Sequence, residues 1–400
     1  VHAAKRRRGF KLLVTRETMR YTLFKFPGLL KRLYIFLQSR LKQARSNAAG
    51  PLNHAFGGER LVPGLSRTSR TLKTEKTQRR MDITVLDAYS FNPGDIDWAD
   101  FERFGRLSAY GLSLPDEIPA RIQSADAVFT NRCRLGEAEF AAAPKLKFVG
   151  LVATGYDKID LAAARRHGIA VCNVPGYSTA AVAQHVFALL LDLCNHPLAF
   201  DAEVRRGRWT QAPGDCVWDY PIVSLSSKTF GVAGTGAIGC AAASIAKSFG
   251  MRVFGYSRTR RAAFPGEYVS FDELLQKSDV LSLHLPANAE TAGIVGKEAL
   301  AKMKPSAILI NTARGALIDS AALCDALNAG RLRAAGLDVL EREPPDPGDP
   351  LLHAKNCVIT PHNGWASLTV RKELVRLAAE NLKAFLDGTP INRVDLEVRQ

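Results

Sequence analysis

TFGVAGTGAIGCAAASIAKSFG, residues 229–250, decides how the rest of the chain is read. An apolar run runs straight into Gly234-x-Gly236-x-x-Gly239, and a segment of helical spacing follows at once. In a strand–turn–helix setting the first glycine permits the tight turn and the second lets backbone approach a pyrophosphate. The third permits close helix–strand packing, and amides near Ala237 and Ile238 face the phosphates at the helix start. The stretch therefore reads as the opening βαβ turn of a dinucleotide-binding fold.

Working outward, MRVFGY, DVLSLHLP, SAILINT, AAGLDVL and NCVIT follow as apolar runs separated by helix-like or turn-like sequence. Such a series makes a doubly wound parallel sheet, a Rossmann domain assigned to 181–367. Upstream, ITVLDAY, AVFTN, KFVGLVA and IAVCNVP form a second, flavodoxin-like α/β series, assigned to 81–180 and completed by 368–400, where an amphipathic helix over 367–388 crosses back. Ser178-Thr179 sits where a cap belongs, ahead of the helical run AAVAQHVFALLLDLCNH.

Composition agrees with a soluble α/β protein: 46% hydrophobic and 23% charged residues, in a 400-residue chain. The net charge of +15 is unevenly distributed, because residues 1–80 hold 20 Lys/Arg and three acids, leaving 34 against 36 in the rest. The basic, low-periodicity extension 1–80 is expected to be disordered. It reads as a transit peptide, a nucleic-acid or membrane-surface arm, or sequence upstream of a later start. The third reading is preferred, because the compositional break falls at Met81. For the main body, near-neutral charge argues against a nucleic-acid partner. Seven widely spaced cysteines suggest neither a disulfide framework nor a zinc site, and fit a reducing compartment, taken as the cytoplasm. No window is long and apolar enough for a membrane span.

Polar residues at strand ends are where open α/β sheets place their chemistry. Arg314 follows AILINTA, Glu343 follows LDVLERE, and His362 follows VITP. A guanidinium can hold a carboxylate and polarise a carbonyl; an imidazole can give or take a proton near neutral pH; a carboxylate can fix that imidazole's tautomer. Each alone has a plainer explanation, but together they suit hydride transfer to a 2-keto acid. Where NAD-binding folds carry an acid for the ribose hydroxyls, this chain has Ser257 and Arg258. This favours NADP(H), with NAD(H) also possible; a solvated basic loop is the alternative. Asp338 is an acid in an apolar strand and needs a donor, either the nicotinamide carboxamide or nearby backbone. His284 is read as a cofactor contact or a structural histidine. Ala153, Thr154 and Gly155 form a turn after a buried strand, an anion nest suited to a substrate carboxylate or simply a turn.

These residues and the strings VLDAYSFNPGD, LVATGYDKIDL, NVPGYSTAAVAQHVFALLL, INTARGALID, GLDVLEREP and ITPHNGWAS, in this order, resemble the D-isomer-specific 2-hydroxyacid dehydrogenases over 81–400, in particular the glycerate dehydrogenase/hydroxypyruvate reductase branch. The resemblance implies that Arg314 binds and polarises substrate, that His362 donates the proton, and that Glu343 supports it. It further implies cofactor contacts at Thr312, Ala313 and Gly364 beside Ala237, Ile238, Ser257, Arg258, Arg314 and Asp338, a small 2-keto or 2-hydroxy acid substrate such as hydroxypyruvate or glyoxylate, and a homodimer. Departures are the missing strand-end acid and the basic extension. Other readings are a D-lactate-like dehydrogenase or a nucleotide-sensing protein like the family's corepressor relatives.

Overall fold

A computed structural model describes residues 80–396, so the expectations for the basic extension lie outside the described residues. The expected two-sheet α/β architecture is present, and every strand pairing is parallel. The first sheet holds β1 (Met81–Val85), β2 (Gly105–Ala109), β3 (Ala127–Thr130), β4 (Phe148–Leu151) and β5 (Ala170–Cys172), in the order β2-β1-β3-β4-β5. This is the flavodoxin-like order. β3 and β4 are buried along their whole length, as the continuous apolar runs required.

Phe101, Phe129, Phe148 and Phe385 form a ladder with centroid separations of 4.4, 5.7 and 5.3 Å, running from the first sheet into the helix Leu368–Leu386. Burying each such ring contributes about 2–3 kcal/mol. The same helix buries Leu374, Val375, Ala378 and Leu382 against this core, and Asn381 Nδ2 donates to the Asn173 carbonyl at 2.7 Å. Val394 N donates to Val171 O, and Asn173 N to Asn392 O, so the segment after the helix stitches onto β5.

The second sheet holds β6 (Thr229–Ala233), β7 (Arg252–Tyr256), β8 (Glu267–Tyr268), β9 (Val280–Leu283), β10 (Ile308–Asn311), β11 (Ala334–Leu337) and β12 (Cys357–Ile359). Their order, β12-β11-β10-β9-β6-β7-β8, reverses direction between β6 and β9. That switch point opens the crevice in which doubly wound sheets bind ligands. The helix Thr179–Asn195 covers one face with Val186, Leu189, Leu190 and Leu193. Ser178 occupies its N-cap position, although its hydroxyl makes no cap bond there.

Among the described residues no helix is long and apolar enough to cross a membrane. Among those residues, too, no group of three or more His, Cys, Asp or Glu is placed to hold a metal.

Candidate active site

The glycine turn adopts the geometry that its spacing demands. Gly234 has φ +101°, in the region that side chains disfavour, while a Cβ on Gly239 would lie 2.1 Å from the Gly234 carbonyl oxygen. Helix and strand therefore meet too closely for any other residue there. At Gly236 a Cβ would meet nothing within 4 Å, so the backbone at the start of the helix Ala237–Ser248 faces open space. The crevice beside it is lined by Ser257 and Arg258 from the end of β7, by His284 from the end of β9, and by Glu290. His284 hydrogen-bonds the Ser282 hydroxyl at 2.9 Å, and burial pushes its pKa down to about 4, so it is neutral near pH 7.

The chain's own residues fit a dinucleotide in one further respect. Thr312, just past β10, has a buried hydroxyl with no hydrogen-bond partner among the described residues. A buried polar group left unpaired is costly, and a bound ligand can supply the missing partner. Asn311, fully buried, shapes this turn: its side chain accepts from Ala313 N at 3.0 Å and donates to Arg314 O at 2.8 Å.

Arg314, Glu343 and His362 stand beyond the carboxyl ends of β10, β11 and β12, three neighbours in one sheet. His362 Nδ1 lies 2.6 Å from Glu343 Oε2, while Glu343 Oε1 accepts from Leu340 N at 3.2 Å. Burial raises the Glu343 pKa, but the hydrogen bond and charge of His362, with the Leu340 N–H and the Arg132 charge, together outweigh it and the net shift is downward. His362 itself has φ +54°. This unusual backbone is held by its N–H on the Asp338 carbonyl at 2.8 Å and by Trp365 Nε1 on its own carbonyl at 3.2 Å.

Arg314 reaches toward the other sheet. Its Nη1 donates to the Ala313 carbonyl at 2.8 Å, and Nη2 lies 3.5 Å from Asp157 Oδ1. A Cβ on Gly155 would fall 2.1 Å from Nη2, so the guanidinium rests directly over the turn formed by Ala153, Thr154 and Gly155. Thr154 itself is tied down, its hydroxyl donating to Val174 O at 3.0 Å. The carboxyl ends of both sheets thus supply one cleft, with the arginine and that turn side by side. No hydrogen bond or ion pair among the described residues joins Arg314 directly to the Glu343–His362 pair.

For Asp338 the structure realises the backbone alternative. Its carboxylate accepts from the Thr360 hydroxyl at 2.6 Å, Asn363 N at 3.1 Å and Gly364 N at 3.0 Å, so its burial needs no donor from a cofactor. Burial raises its pKa, yet these bonds and His185 bring it below the usual carboxylate value. His185, on the helix Thr179–Asn195, hydrogen-bonds Thr360 at 2.8 Å and lies 3.4 Å from Asp338. Its ring also abuts Gly364, where a Cβ would come within 2.6 Å.

Arg132, Asp157 and Glu290 carry no signal in the sequence, since isolated charges in loops show no periodicity. Arg132 Nη1 approaches Glu343 Oε2 at 3.4 Å from beyond β3. Its loop is pinned by buried Asp87, whose carboxylate accepts from the backbone of Asn131 and Arg132. Burial raises the Asp87 pKa against those bonds.

Glu343→Gln should keep the hydrogen bond but remove the charge beside the imidazole. Without the carboxylate that fixes the imidazole's tautomer and orientation, kcat for ketone reduction should fall by about 10²-fold or more. An unchanged kcat would remove Glu343 from this role.

The profile for the NAD binding domain of D-isomer specific 2-hydroxyacid dehydrogenases matches residues 187–364. A hydroxypyruvate reductase of Blautia hydrogenotrophica is 45% identical over 321 residues, covering 79% of this chain and 100% of the relative. A glycerate dehydrogenase of Methylorubrum extorquens is 38% identical, covering 70% and 89% of the two chains. Among solved structures, an NADPH-dependent glyoxylate/hydroxypyruvate reductase of Sinorhizobium meliloti, in complex with NADP and malonate, is 29% identical with a TM-score of 0.69, covering 79% and 97%.

Proposed function

The chain belongs to the D-isomer specific 2-hydroxyacid dehydrogenase family and is an oxidoreductase that moves hydride between a nicotinamide cofactor and a small 2-keto acid; on that premise we propose that it reduces hydroxypyruvate and glyoxylate, to D-glycerate and glycolate, with Arg314, Glu343 and His362 as its working groups. The observation that carries the site assignment is the 2.6 Å bond between His362 and Glu343, beside an arginine seated over the turn at residues 153–155. The names of the two bacterial relatives and the ligands of the solved neighbour support the substrate class.

In this reading the substrate carboxylate lies between the Arg314 guanidinium and the turn Ala153–Gly155, displacing Asp157 from the arginine. The bound nicotinamide supplies the hydride. Arg314 stabilises the negative charge that grows on the carbonyl oxygen, and His362, protonated and oriented by Glu343, delivers a proton to that oxygen. In the opposite direction neutral His362 accepts the proton. Residues 81–180 with 368–400 serve as the substrate half and 181–367 as the cofactor half. Gly234, Gly236, Ala237, Ile238 and Gly239 hold the pyrophosphate; Ser257 and Arg258 face the adenosine ribose; and His284, Thr312, Ala313, Asp338 and Gly364 flank the nicotinamide end.

NADP(H) is proposed as the preferred cofactor, with NAD(H) admitted. Its support is Ser257 and Arg258 at the place of a strand-end acid, together with the NADP-bound neighbour. A panel of small 2-keto acids assayed with NADPH and NADH tests all of this. Highest kcat/KM on hydroxypyruvate or glyoxylate with NADPH is expected; preference for pyruvate or a longer acid overturns the substrate, and a clear NADH preference overturns the cofactor.

A homodimer in the cytoplasm completes the proposal. The helix Pro197–Arg205 buries none of its residues, and Leu198, Trp209, Trp218 and Ile222 around it are exposed, an apolar arm suited to a second copy. The described cysteines stand as thiols, which fits a reducing compartment. Sedimentation equilibrium should return about twice the 43.6 kDa chain mass; a monomer at micromolar concentration would remove the dimer.

A further inference from the structure

Arg258 does not stand alone at the mouth of the cofactor crevice. Its Nη1 is 2.8 Å from Glu290 Oε2, and Glu290 belongs to the turn after β9, on the far side of the crevice from β7. Both side chains line the same crevice as Gly234, Gly236 and Ser257, and both are largely exposed, with 75% and 67% of their side-chain surfaces accessible. Exposed pairs of this kind contribute little to stability, so the fold does not account for the acid at this place.

The turn that carries it is built. Asn288 Oδ1 accepts from Glu290 N at 3.0 Å and Thr291 N at 3.1 Å, and Thr291 Oγ1 donates to Pro286 O at 2.6 Å. Glu290 is therefore aimed from a fixed turn, and the end of β7 offers it a hydroxyl at Ser257 and a cation at Arg258.

We propose that Glu290 is a specificity-determining residue, supplying from the opposite wall the acid that the end of β7 lacks. With an unphosphorylated adenosine ribose its carboxylate accepts from the ribose hydroxyls while remaining paired with Arg258. A 2′-phosphate must draw Arg258 away from the carboxylate and sit beside a like charge. Glu290 thereby narrows the preference for the phosphorylated cofactor that Ser257 and Arg258 alone would give. The inference rests on the cofactor reading above, specifically on Arg258 as the 2′-phosphate ligand.

The test uses adenosine-side probes, with no turnover involved. Isothermal titration of 2′,5′-ADP and 5′-AMP is run at low ionic strength on the wild-type chain, Glu290→Gln and Arg258→Gln. In Glu290→Gln the 2′,5′-ADP affinity should rise about 10-fold, as removal of one like charge near a dianion at high dielectric gives, and 5′-AMP affinity should fall about 3-fold on loss of a charged acceptor. Their ratio thus moves about 30-fold toward the phosphorylated probe, with an unchanged melting temperature. An unchanged ratio, or weaker 2′,5′-ADP binding as expected if Glu290 merely orients Arg258, overturns the proposal. Arg258→Gln separates the two claims: unaltered 2′,5′-ADP binding in that variant defeats the cofactor reading at Arg258, whereas its loss there with an unmoved ratio in Glu290→Gln defeats only the role of Glu290.

Discussion

Replacing His362 by alanine should lower kcat for ketone reduction by about 10²–10⁴-fold, the range general acid catalysis contributes, while cofactor affinity stays at the wild-type level. The expectation separates because the imidazole bonds Glu343 through Nδ1, whereas the crevice for the dinucleotide is lined from β6, β7 and β9. His362 is anchored by its backbone, through its N–H to Asp338 and its carbonyl to Trp365, and alanine retains both bonds. The φ of +54° carries some strain for either residue, so the turn should persist. Rapid-mixing kinetics with cofactor titration by fluorescence distinguish the outcomes. An unchanged kcat would show that another group donates the proton; lost cofactor binding would show that the side chain holds the nucleotide.

Arg314→Lys should reduce kcat/KM by about 10²–10³-fold, the scale on which removal of one transition-state donor acts. KM should rise and kcat fall together. The guanidinium spends Nη1 on the Ala313 carbonyl and presents Nη2 over Gly155 beside Asp157. An ammonium is a compact point charge and cannot make the fixed fork that holds a carboxylate while facing a carbonyl oxygen. A rise in KM alone would mean that Arg314 binds ground state and transition state equally, and its polarising role would be withdrawn. Normal kinetics would dismiss the arginine altogether.

Much of the candidate site is legible in the sequence alone. Gly234 and Gly239 announce their roles because a φ of +101° and a 2.1 Å approach to a carbonyl oxygen each call for glycine. Arg314, Glu343 and His362 were legible because each follows a continuous apolar run, and in a parallel sheet such runs end at one edge. The strand β2, Gly105–Ala109, gave no such signal. It pairs only with β1, and its exposed edge leaves Leu107 as its one large apolar residue. The partner of His185 leaves no such signal, because Thr360 lies 175 positions away and helical spacing shows which face a residue occupies but not what it meets. Arg132, Asp157 and Glu290 act across the cleft or crevice, and the approach of two separate chain segments leaves no periodic trace.

The stitching of residues 392–395 and the helix Leu368–Leu386 onto β5 has a consequence for biosynthesis. A ribosome emits β5 and then 195 further residues before the segment that covers that sheet begins to emerge. At ordinary elongation rates that is a wait of roughly 10–40 s. Throughout it Phe148 lacks its ring partner Phe385, so the half translated first is the half completed last, and holdase chaperones have their longest opportunity there.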